Sequence, residues 1–152
     1  MKKLYYAAHT YMIVGVVSGL YYREITKHYD FTGDSQLGVV HTHLLALGML
    51  FHLIVLALEK LFTLSADGRL FNWSFWVYNA GLVLTVTMMT IHGTQTVAGA
   101  RTSEAVSGIA GLGHIVLTVG LILFFINLGK RIPAKAEAPG AEAERVEALS
   151  RG

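Results

Sequence analysis

Four apolar runs, each close to the roughly twenty residues needed to cross hydrocarbon, fill most of this chain of 152 residues. They lie at about 4–22, 37–59, 71–97 and 105–129, and short polar connections join them. Soluble domains carry about 25% charged residues. Here the charged share is 14% against 53% hydrophobic, and the mean hydropathy is +0.51. These values exclude a water-soluble globule. The expected fold is all-α, an integral membrane four-helix bundle over residues 1–131. The Ala-, Glu- and Lys-rich stretch 132–152, with Pro133 and Pro139, reads as a flexible cytoplasmic tail.

Composition narrows the chemistry. The chain has no cysteine, which excludes disulfides, thiolate zinc sites, thiolate-ligated iron–sulfur clusters and covalent c-type haem. A metal centre must then use nitrogen or oxygen donors, and seven histidines supply them. The net charge of +2 comes without a clustered basic footprint, so no nucleic acid is expected as a partner. The start, Met1-Lys2-Lys3 before apolar residues, is like that of a signal peptide, but Gly19-Leu20-Tyr21-Tyr22 offers a poor cleavage site. The first segment is therefore read as retained.

Orientation follows from the basic residues. Four spans put the N-terminus, the second connection and the tail on one side, with Lys2, Lys3, Lys60, Arg69, Lys130, Arg131, Lys135, Arg145 and Arg151. The other side holds Arg23, Lys27 and Arg101. The excess of Lys and Arg places both termini in the cytoplasm. In the third segment Phe71, Trp73, Phe75, Trp76 and Tyr78 read as an interfacial belt. The short link Thr63–Gly68 makes the second and third helices antiparallel neighbours.

The stretch Gly38-Val-Val-His-Thr-His-Leu-Leu-Ala-Leu-Gly48 carries two histidines inside an apolar span. Lipid does not solvate an imidazole, so intramembrane histidines are functional candidates by default. At 1.5 Å per residue, His41 and His43 lie roughly 6 to 10 Å below the outer face, and His114 roughly 13 Å below it. His92 lies near the outer end of the third segment. Four histidines thus fall in one slab of the outer leaflet. His52 lies about 16 Å below His41, near the same helical face. His9 is closer to the inner side and reads as a snorkelling residue. At about 100° per residue, His41 and His43 point roughly 200° apart, so they do not readily ligate one iron. The glycines Gly108, Gly111 and Gly113 beside His114 suit either plain helix packing or a flat cofactor. Arg23, Lys27 and Arg101 are candidate partners for haem propionates.

Val40-His41-Thr42-His43-Leu44-Leu45 resembles the haem-binding helices of the haem–copper oxidase and nitric oxide reductase large subunits. The whole chain also resembles an uncharacterised family of small four-helix bacterial membrane proteins, through Tyr22–Lys27, His41–Met49 and Ser107–His114. The first resemblance implies haem b held by two histidines, and a homotrimer that rebuilds the oxidases' twelve-helix ring. His41 would ligate one haem and His43 a haem shared with the next protomer, with His114 and His92 as rival iron ligands. The second implies a bacterial inner membrane. The oxidases' copper-site His-Pro-Glu-Val-Tyr and His-His motifs are absent, so no catalytic residue is assigned. The expected function is electron transfer, or redox or gas sensing, in the bilayer with an unidentified electron donor or acceptor. Rival readings are a haem-free metal or small-solute transporter, and a structural or assembly subunit of a membrane complex.

Overall fold

The computed structural model describes residues 1–101 and 104–132, excluding the side chains of 104–107. It is all-helical, with four long helices: α1 (Lys2–His28), α2 (Leu37–Phe62), α3 (Gly68–Val97) and α4 (Glu104–Gly129). Three stretches are long and apolar enough to cross a membrane: Leu37–Phe62, Gly68–Val97 and Gly108–Gly129. The 27 residues of α1 are long enough, but lysines, tyrosines, His9 and Thr10 dilute its apolar character. Even so, Ile13, Val14, Val16, Val17 and Leu20 of α1 stand exposed. The expected belt divides: Trp73 and Trp76 point outward, while Phe71 and Tyr78 are buried in the core.

Glycines set how closely the helices approach. Between α3 and α4, Gly81 lies against the backbone of Val116 and Leu117, Gly113 against Thr85, and Gly120 against Tyr78. A side chain at any of them would drive the pair apart, which is how small residues hold helices together where lipid supplies no hydrophobic drive. Between α1 and α2, Gly15 meets Leu44 and Leu45, and a β-carbon at Gly19 would stand 3.7 Å from Cβ of His41. Gly93 of α3 seats the start of α2 at Leu37. α3 packs most extensively on α4, and α1 on α2, while α2 also packs on α3.

Three boundaries differ from those the sequence predicts. First, α1 runs on to His28, because Arg23–Lys27 contains no helix breaker and Thr26 Oγ1 bonds back to the Tyr22 carbonyl at 2.8 Å. The chain turns only where Asp30 takes a positive φ of 47°. Second, α3 starts at Gly68, because Asp67 caps it by accepting from Leu70 N at 3.1 Å. Third, α2 runs on to Phe62 rather than stopping at 59, and ends where Thr63 takes a left-handed conformation. The second connection is otherwise the expected tight turn: Thr63 is left-handed, and the buried Glu59 carboxylate accepts from the Ser65 amide at 2.9 Å. Thr102 and Ser103, either of which the sequence offers as a cap for α4, and the tail from 133 lie outside the described residues.

Within α2, Leu44–Leu50 is a π-helical turn. Such a turn widens the helix and misaligns carbonyls, which then need partners from elsewhere. Two side chains supply them. Tyr78 of α3 donates its hydroxyl to the Leu47 carbonyl at 2.8 Å, and His52 Nδ1 lies 2.6 Å from the Gly48 carbonyl. Gly48 also makes room for the Tyr11 ring, which a β-carbon there would strike.

Candidate functional site

His43 and His114 share one arrangement. Nδ1 of His43 lies 2.9 Å from the Val39 carbonyl, four residues back on its own helix. Nδ1 of His114 lies 3.0 Å from the Ala110 carbonyl, again four residues back. A carbonyl only accepts, so in each ring Nδ1 carries the proton and Nε2 keeps its lone pair. His43 is half-buried and His114 exposed.

Leu47 lies a turn below His43 on the same face, and Leu121 two turns below His114 on the same face. Both leucines pack against the larger core cluster. Phe51 of α2 meets Phe124 of α4 edge to face at 5.4 Å. Beside His114, no described residue beyond the helix's own backbone comes within 4 Å of where a β-carbon would stand on Gly108 or Gly111. Gly113 alone of the three packs on α3.

His41 faces the other way, as the angle between the two positions requires. Its ring sits beside Gly19 of α1, and its Nδ1 is buried without a hydrogen-bond partner. His92 Nδ1 is also buried without one. No hydrogen bond or ring stack among the described residues joins any two of His41, His43, His92 and His114. Arg101 follows α3 in the connection that leads into α4. Arg23 and Lys27 stand exposed four residues apart on α1, with Arg23 3.8 Å from Glu24. His9 is exposed and stacks on Tyr5.

A second polar centre lies deeper and was not legible as a unit in the sequence. His52 is only 1% exposed, among Tyr11, Phe51, Phe75 and Tyr78. With its Nδ1 proton given to Gly48, its Nε2 accepts from Asn79 Nδ2 at 3.1 Å. Asn79 Nδ2 also donates to the Phe75 carbonyl at 2.7 Å, and its Oδ1 accepts from the Tyr11 hydroxyl at 2.7 Å. One asparagine thus ties α1, α2 and α3 together, with both ring nitrogens of His52 in use. The signal was a polar residue, Asn79, in the middle of an apolar span; its partners depend on packing that no local pattern encodes.

A family profile matches residues 1–131. The chain belongs to that family, described as a protein of unknown function (DUF2871). No curated protein and no solved structure matches it. In this DUF2871 chain, no three of His, Asp and Glu converge on one point among the described residues. A closed metal cage built from such side chains is therefore not formed there, whereas a haem needs only two axial nitrogens and a flat slot.

Proposed function

We propose that this protein is a bacterial inner-membrane haem b protein in which His43 and His114 are the axial ligands. The observation that carries the reading is the common state of those two rings. Ligating histidines almost always donate their second ring N–H to a carbonyl or carboxylate, which fixes the tautomer and turns Nε2 to the iron. His43 and His114 both meet that condition before any ligand is added. The glycines Gly108 and Gly111 suit a flat macrocycle, and Arg101, in the connection before α4, is the propionate partner in this reading. His41 fits less well, since its Nδ1 is enclosed without a carbonyl.

A haem with two histidine ligands has no open coordination position, so it serves electron transfer, or sensing when one ligand leaves. In the same reading α1 also crosses the bilayer, both termini are cytoplasmic, and three protomers form a twelve-helix ring of the kind in haem–copper oxidases. The apolar residues exposed along α1 favour its crossing. The test is an absorption spectrum of detergent-purified protein, oxidised and then dithionite-reduced. A Soret band with sharp α and β bands on reduction is expected, lost in His43→Ala and in His114→Ala but kept in His52→Leu. Protein made with ample haem that shows no Soret band overturns the proposal.

A further inference from the structure

We infer that the cleft between α1 and α3 binds a lipid-soluble quinone. The cleft has a volume of about 630 Å³ and is walled by both helices from Lys3 up to Val14 and Thr87. That volume is in the usual range for small-molecule sites, which are mostly apolar with a few placed polar groups. Here the apolar wall includes Val14, Val83 and Val86; the polar groups along the cleft are Thr10, Tyr11, Asn79 and Thr87, with Lys3 and Tyr6 at one end of it.

Depth selects the class of ligand. α3 spans Gly68–Val97, so Asn79 and Thr87 bracket its midpoint. A phosphate or carboxylate head is too costly at that depth, whereas a neutral carbonyl head with an apolar tail is not. The hydroxyls select it further. Thr26, Thr42, Thr90, Thr96 and Thr118 all bond back to their own helices. Thr10 and Thr87, one on each wall, make no hydrogen bond among the described residues. A buried or lipid-facing hydroxyl without a partner costs free energy that a ligand carbonyl recovers. Hydroxyls both donate and accept, so the same two threonines serve a quinone carbonyl and a quinol hydroxyl. Asn79 spends both amide hydrogens on His52 and Phe75, so it holds Tyr11 in place on the wall and leaves the donating to the threonines. The inference is independent of the haem proposal, because quinone binding is read without haem.

The chain has two tryptophans, and only Trp76 lines this cleft. In a Trp73→Phe background in phosphatidylcholine nanodiscs, a short-chain ubiquinone analogue should quench Trp76 fluorescence saturably. Thr10→Val with Thr87→Val should weaken binding at least tenfold, and Val83→Phe, which fills the cleft, should abolish saturation. Thr118→Val on α4 should leave binding unchanged. Quenching that rises in proportion to quinone in the bilayer, as expected if bulk lipid alone fills the cleft, overturns the inference. So does saturable binding that the threonine pair does not affect.

Discussion

Replacing Asn79 with leucine keeps the side chain's bulk and removes its polar atoms. Two interhelical hydrogen bonds disappear, Tyr11 to Asn79 and Asn79 to His52. In membrane proteins each such bond contributes about 0.6 kcal/mol on average and up to about 1.7. The substitution also strands the Tyr11 hydroxyl and His52 Nε2, and a stranded buried group costs roughly 1–3 kcal/mol. The Phe75 carbonyl keeps its helical partner and adds little. Asn79→Leu should therefore lower stability by about 2–4 kcal/mol. His52→Leu removes one of the same bonds, and the double variant leaves no stranded imidazole. The two changes should fall short of additivity by roughly 1 kcal/mol or more. Thr118→Val, whose hydroxyl bonds within α4, should add to Asn79→Leu within about 0.5 kcal/mol. Unfolding in mixed detergent, followed by helical ellipticity, gives all four corners of the cycle. A loss below about 0.5 kcal/mol for Asn79→Leu, or strict additivity with His52→Leu, would refute a three-helix network centred on this residue.

Gly81→Val should separate α3 from α4, because its side chain meets the Leu117 backbone, which cannot yield; a loss of at least about 2 kcal/mol is expected in the same unfolding assay. Tyr78→Phe should cost about 1 kcal/mol and speed hydrogen exchange at Leu44–Leu50, since it removes the donor to the Leu47 carbonyl. Glu59→Gln should weaken the second turn by about 1 kcal/mol through the lost carboxylate contact with Ser65, with faster proteolysis there as the readout.

The four helices were readable because an apolar run of that length has few other uses, and three of them are long and apolar enough to cross a membrane. The divergence of His41 and His43 was readable from helical phase alone. The end of α1 was not: Arg23–His28 is polar like a loop, yet it contains nothing that stops a helix. The π-helical turn was not readable either. Leu44–Leu50 reads as ordinary helix, and its widening is held by Tyr78 and Tyr11, which arrive from other helices. The matched ring state of His43 and His114 depends on carbonyls four residues back, a contact that any helical histidine can make or forgo.

Where each ring nitrogen goes separates the intramembrane histidines by role. An imidazole in lipid must place its N–H, and the nearest carbonyl is on its own helix. His43, His52 and His114 all lie within bonding distance of that carbonyl. They differ at the other nitrogen. For His52 it is closed by Asn79 inside the core, so the ring is a strut whose removal costs stability. For His43 and His114 it has no hydrogen-bond partner among the described residues. Substituting these two should therefore cost little stability and change what the protein binds, whereas substituting His52 should do the reverse. Measured together, stability and absorption spectrum would distinguish a histidine kept for folding from one kept for a ligand.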